Sequence, residues 1–404
     1  MKYNVKATKS SGESYETVIE AVDRAGLYEK MRADGDTALS VEEVKEKKVF
    51  SILKFLPFIG KISTREKFVF TRNIGAMLES GLSLGRALAV IQKQNKNKKL
   101  KKVLDDVAKN ISGGKTFSDS LAEFPEVFSP LVISMVKAGE ESGSLADTLK
   151  VIANQIESSY TLTKKIKGAL MYPSIIVFAM IGIGFFLLTY VVPTLTSTFK
   201  ELNVALPLTT RFVIVVSDFL LAHMIVSIVI VFCAVFGIYL FSKTNFGQRI
   251  IDWCVLRVPI IGTLVKEVNG ARTARTLSSL LSSGVDVVIA VQITEKVLQN
   301  SYYKEVLREA GKSIQKGEAM SETFSRFPKL YFPYVEEMIS VGEETGQLAK
   351  VLMGVAVFYE TEVDQKTKDM STIIEPFLMV FIGAVVGFFA VSMISPMYSL
   401  VNVI

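Results

Sequence analysis

Three stretches of the chain carry no Asp, Glu, Lys or Arg. They hold 32 residues between Lys167 and Lys200, 24 between Asp218 and Lys243, and 29 after Glu375. No other charge-free run reaches half the shortest of these. About 20 mostly apolar residues cross ~30 Å of hydrocarbon at ~1.5 Å per residue. Segments such as SIIVFAMIGIGFFLLTYVV are apolar on every face, whereas a helix on the surface of a soluble domain is amphipathic. The expected spans are residues 173–192, 219–241 and 376–397. A chain that is half hydrophobic and only 21% charged is neither disordered nor an ordinary soluble enzyme. Two Cys and one His exclude a disulfide scaffold and leave almost nothing for zinc.

Lysine and arginine set the expected orientation. Residues 1–170 hold 28 Lys/Arg against 21 Asp/Glu, with Lys164, Lys165 and Lys167 abutting the first span. The connector 193–218 holds Lys200 and Arg211 against Glu201 and Asp218. Residues 242–373 carry 16 of each sign, and the tail after the third span has no Lys or Arg. Both long polar stretches are therefore expected in the cytoplasm, with the connector and the C-terminus outside. Met1 to Asn4 open no apolar run, so the first span is expected to act as the insertion signal. The net charge of +6 sits mostly on the first module. That charge suits the inner membrane leaflet or an acidic protein face, and nucleic acid is not the expected partner.

The chain repeats itself at a shift of 203 residues. LESGLSL around Gly81 returns as LSSGVDV around Gly284, and Arg72 falls on Arg275. Gly114 meets Gly317, Pro125 meets Pro328 and Pro130 meets Pro333. The turn Gly139-Glu140-Glu141 meets Gly342-Glu343-Glu344, and Gly143 meets Gly346. Pro173 meets Pro376, and Pro193 meets Pro396. Each copy is a polar module followed by one span. The second span has no counterpart and returns the chain to the side it left.

The expected fold is an all-α integral membrane protein with two homologous cytoplasmic helical bundles of about six helices each. In the second copy Leu277, Leu280, Leu281, Val285 and Val288 form an i, i+3/i+4 stripe. Thr116 and Met320-Ser-Glu-Thr begin helices by Ser/Thr capping, and the Phe-Pro pairs at 124 and 327 break them. The expected order is a small N-terminal segment (1–48), an amphipathic linker (49–64), the first module (65–170), span one, the connector, span two, the second module (242–373), span three and a tail (398–404). In the N-terminal segment Tyr3, Val5 and Ala7 alternate, Gly12 turns, and 17–31 reads as helix. The linker, with Lys47, Lys48, Lys54 and Lys61 around its Phe residues, packs on the first module or touches anionic lipid.

No reactive cluster stands out, and no cofactor or metal is expected. Gly113-Gly114-Lys115-Thr116 lacks the upstream glycine of a phosphate loop, and the repeat puts Glu318 where Lys115 stands. His223, Cys233 and Cys254 have no ligand-spaced companions. Glu375 opens the third span, but its repeat partner is Tyr172, so no symmetrical carboxylate pair marks an ion path. Gly383 and Gly387 form a small-xxx-small face that suits packing within the chain, dimerisation or contact with another membrane helix. The paired turns are the most specific polar feature. Glu140, Glu141, Glu343 and Glu344 serve either as turn chemistry or as a partner-facing or intersubunit surface.

These features resemble the type II secretion system protein F / type IV pilus inner-membrane platform family (GspF/PilC). The membrane-entry motif reads Lys165-Ile-Lys-Gly-Ala-Leu-Met-Tyr172-Pro173, and the second copy has Glu375-Pro376. The Gly342–Leu348 turn fits the family's Gly-Glu-Glu-x-Gly-x-Leu pattern, and the resemblance runs over nearly the whole chain. It implies a non-enzymatic platform in the bacterial inner membrane. The implied partners are a hexameric secretion or pilus ATPase, pilin or pseudopilin subunits, inner-membrane alignment proteins and further copies of the chain. A small transporter or another membrane scaffold is the alternative. The spans offer too few polar residues for a transporter's midplane site.

Overall fold

The computed structural model describes residues 2–8, 14–20, 37–43, 62–201 and 206–401. Contacts divide the chain into two units, Met1–Lys61 and Ile62–Ile404.

The first unit, the expected small N-terminal segment, contains a three-stranded sheet. Strands β1 (Lys2–Thr8), β2 (Ser14–Glu20) and β3 (Thr37–Glu43) pair antiparallel in the order β2-β1-β3. Lys2 lies opposite Glu20, and Thr8 opposite Ser14. The alternation of Tyr3, Val5 and Ala7 is strand alternation, and Val5 is fully buried. The helix expected over 17–31 does not begin at Thr17, because Thr17–Glu20 belong to β2. Tyr15, Thr17, Val18 and Ile19 are β-branched or aromatic, and pairing with β1 outweighs their helical spacing. Residues 21–36 and the linker 49–61 lie outside the described residues.

The second unit is helical throughout its described residues. The first module has six helices: α1 (Thr64–Glu79), α2 (Leu84–Gln94), α3 (Lys98–Ser112), α4 (Phe117–Ala122), α5 (Pro130–Glu141) and α6 (Leu145–Phe186). Ser63 and Glu66 close a reciprocal capping box at the start of α1. Asn97 caps α3 and donates its amide to the Glu66 carboxylate at 3.0 Å, tying the starts of α1 and α3 together. Leu88, Leu100, Leu104, Leu121, Leu149 and Ile152 fill the core. Full burial of each such side chain contributes about 1.5–3 kcal/mol.

The second module repeats the plan with α11 (Ile261–Ser282), α12 (Val287–Val297), α13 (Ser301–Gln315), α14 (Met320–Ser325), α15 (Pro333–Thr345) and α16 (Leu348–Val401). The equivalence reaches single hydrogen bonds. Gly81 and Gly284 both have φ near +80°, and each N–H reaches the carbonyl three residues back, Leu78 and Leu281. The next N–H, of Leu82 or Val285, reaches Met77 or Leu280. Gly114 and Gly317 close α3 and α13 by the same pair of bonds. A residue with Cβ is strained in that left-handed conformation.

Between the modules lie a π-helical turn (Leu187–Val191), α7 (Val192–Glu201), α8 (Leu208–Ala222), α9 (Met224–Lys243) and α10 (Asn245–Arg257). Among the described residues three helices are long and apolar enough to cross a membrane: Leu145–Phe199, Met224–Lys243 and Leu348–Pro396. Their boundaries differ from the expected spans in two ways. First, module and span are one rod, because α6 and α16 run through Pro173 and Pro376 without a break. Proline in the first turn of an expected helix becomes proline in mid-helix, which membrane helices tolerate. Secondly, the helix breaks at His223, so Phe219–Ala222 end α8 rather than begin the second span. The connector is helical up to Glu201 and again from Leu208. Thr210 donates to the Ser392 carbonyl and Ser217 to the Leu188 carbonyl, which fastens α8 to the ends of the first and third apolar helices. Val192, Val213, Ile214 and Met393 pack beside these bonds.

Candidate interaction site at the paired turns

The two Gly-Glu-Glu turns divide into an inward and an outward part. Glu140 sits at the end of α5 and turns back to α4. Its carboxylate accepts the N–H of Phe117 at 2.6 Å and of Ser118 at 2.8 Å. Glu343 treats α14 alike, accepting from Met320 N–H at 2.6 Å, Ser321 N–H at 3.1 Å and Ser321 Oγ at 2.7 Å. Each acid thus satisfies the open N–H groups of a six-residue helix and lies at the positive end of its dipole. The expected Ser/Thr capping holds in one copy only. Thr116 does cap α4, but α14 starts after Ala319 with no side-chain cap. Glu343 takes the same first two N–H groups as Glu140, so the third, capped by Thr116 in the first copy, has no side-chain cap in the second.

The preceding glycines allow the hairpin to close. A Cβ on Gly139 would stand 2.6 Å from Thr148 Oγ1, and one on Gly342 2.9 Å from Leu348 Cα. Gly143 and Gly346 have φ of 70° and 65° and turn the chain into α6 and α16. Glu141 and Glu344 point outward and are exposed. Their neighbours are Lys137 at 3.9 Å and the Ser340 hydroxyl at 3.3 Å. Of the four acids proposed for a partner surface, only these two are free to serve one. Lys115 pairs with Glu123 at 2.5 Å. That lysine and the Asn110 amide hold the Glu123 carboxyl below the usual carboxylate range, so the glycine-lysine segment closes a helix.

Lys165, of the membrane-entry motif, reaches Asp364 on α16 at 2.5 Å. Lys368, the repeat partner of Lys165, reaches the same carboxylate at 2.9 Å. Two equivalent lysines from the two copies therefore share one acid just before the spans. Tyr172 and Glu375 are exposed at the entry and Pro173 is half-buried. Among the described residues nothing lies within 4 Å of a Cβ added to Gly383 or Gly387, so none of them packs on that face.

Further contacts between the modules carry no sequence motif. Gln155 on α6 is buried against α11, donating to Thr276 at 3.3 Å and accepting from Ser279 at 3.1 Å. Arg275 makes a bidentate pair with Glu360, Nη2 to Oε2 at 2.6 Å, beside this contact. Burial holds the Arg272 guanidinium below its usual range. Among the described residues no three His, Cys, Asp or Glu side chains gather as metal ligands. Cys233 and Cys254 are free and exposed.

Two bundles that each feed a membrane helix, with matched turns, define a duplicated membrane scaffold. The family model for type II secretion system (T2SS) protein F matches residues 70–193 and again 273–396, displaced by 203 at both ends. The chain belongs to that family. It is 35% identical over 402 residues to a type IV pilus assembly protein PilC of Thermus thermophilus, covering 99% of this chain and 98% of the relative. It is 30% identical over 378 residues to type II secretion system protein F of Aeromonas hydrophila (94% and 97% covered). A protein F of Vibrio cholerae is 28% identical over 402 residues (99% and 98%). The chain is thus a membrane protein of the pilus and secretion machinery.

Proposed function

We propose that this chain is the inner-membrane platform of a type IV pilus or type II secretion machine. In this reading it passes the work of a cytoplasmic hexameric ATPase to pilin or pseudopilin subunits leaving the bilayer. It acts without chemistry of its own, as a homo-oligomer, beside inner-membrane alignment proteins. Both modules face the cytoplasm and the C-terminus lies outside. The observation that carries the reading is the continuous helix from each module into its apolar segment, α6 and α16. A displacement of either module is delivered along one rod to the membrane, with no loop to absorb it. Force is transmitted only if the partner binds two states of the chain with different affinity. Glu141 and Glu344 are the acids proposed to meet the ATPase.

The test is deletion of the gene followed by complementation. Surface pili or secreted substrate should vanish and return with the wild-type chain. Unchanged assembly in the deletion strain would refute the platform role. ATP hydrolysis by the purified chain alone would refute the non-enzymatic part.

A further inference from the structure

The two modules are near copies, yet they meet through different faces. Module one offers α5 and α6. Module two receives them on α11, α12 and α16. The reverse set, α16 on α1 and α15 on α2, makes no comparable contact among the described residues. The contact is therefore heterologous, and a heterologous contact between like units leaves one face of each kind open.

Both open faces are recognisable by the shift of 203. Leu131 and Gln155, the inserted residues of module one, are 7% and 6% exposed. Their counterparts on module two, Tyr334 and Phe358, are 38% and 46% exposed, with ring centroids 5.1 Å apart and planes tilted by 55°. Both lie before the charge-free run that follows Glu375. The receiving side of module two includes Arg272, Thr276, Val297 and Gln299, gathered around Gln155 and Ser159. Its counterpart on module one is an open groove of about 320 Å³ lined by Val69, Asn73, Gln94 and Lys96.

We propose that the Tyr334–Phe358 face of one chain docks into the α1–α2 groove of a second copy, repeating between chains the contact made within each chain. The occupant is a second copy because the same two kinds of face are already seen joined in the intramolecular contact. Charge supports the pairing. Glu362 stands where module one has Ser159, and Ser159 lies beside Lys296 in the existing contact. The counterpart of Lys296 is Lys93, with Lys96 nearby, so docking brings Glu362 to two lysines. The proposal rests on the oligomeric part of the reading above and on none of its ATPase or pilin parts. A failed ATPase recovery would leave it standing.

Cysteine cross-linking of the full chain in membranes tests it, with Cys233→Ser and Cys254→Ser removing the native thiols. Phe358→Cys and Ala76→Cys are the counterparts of Gln155 and Ser279, and are placed on two differently tagged chains. Mild oxidation should give a product carrying both tags. The pair Gln155→Cys and Ser279→Cys in one chain should close internally and serves as the control. Closure of the control without a two-tag product overturns the proposal, as does a link from Phe358→Cys to another protein. Should the cysteines disturb the contact, the charge swap decides on native-gel size. Glu362→Lys should reduce the oligomer at least fivefold, and adding Lys93→Glu and Lys96→Glu should restore it. An oligomer unchanged by Glu362→Lys, or not restored by the swap, overturns the proposal.

Discussion

Glu140 and Glu343 are held by the folded modules, whereas Glu141 and Glu344 are free on the surface. Replacing a helix-capping acid costs about 0.5–2 kcal/mol. Glu140→Ala and Glu343→Ala should each lower stability by that amount in thermal unfolding of the detergent-solubilised chain. Glu141→Ala and Glu344→Ala should stay within about 0.5 kcal/mol, as surface substitutions do. Equal losses at all four positions would show that the inward and outward roles are misassigned. The glycines and acids of these turns stand out in the sequence because they recur at one shift. The direction of Glu140 does not, since the N–H groups that donate to it lie 22 and 23 residues away. Nor does the cap residue reveal it, because Glu140 and Glu343 take the same two N–H groups whether Thr116 or Ala319 precedes the short helix.

At the scale of elements, the apolar helices were legible because charge is absent over long runs. Their continuity with the modules was not. Pro173 and Pro376 read as boundaries in water but sit inside α6 and α16. The N-terminal sheet was half legible, because β1 alternates cleanly while β2 also fits a helical spacing. Contacts between elements are less visible still. Arg275 and Glu360 are 85 residues apart, and both are mostly buried. Removing one partner of a buried pair costs about 3–5 kcal/mol in a fully buried setting. Arg275→Ala should therefore destabilise the second module by about 2–3 kcal/mol, less because Glu360 keeps some contact with water. Orientation is tested by labelling single cysteines in intact cells, in the same thiol-free background. Ser197→Cys should react with an impermeant reagent, and Gln315→Cys only after the membrane is opened. The opposite pattern would invert the topology.

For the whole molecule, the repeat was the most legible feature of all. The two family matches reproduce its 203-residue shift. What a repeat hides is asymmetry, because it presents equal faces on both copies. The unequal burial of Gln155 and Phe358 becomes visible only when the modules are seen together. In the proposed function this duplicated scaffold receives work from a cytoplasmic ATPase. The most direct measurement of that claim is recovery of the secretion ATPase with the affinity-purified full-length chain. The wild-type chain should bring the ATPase down. Glu141→Lys with Glu344→Lys should reduce recovery at least fivefold at unchanged thermal stability. No recovery with the wild-type chain would contradict the claim itself. Undiminished recovery with the double variant would remove the paired turns from the contact.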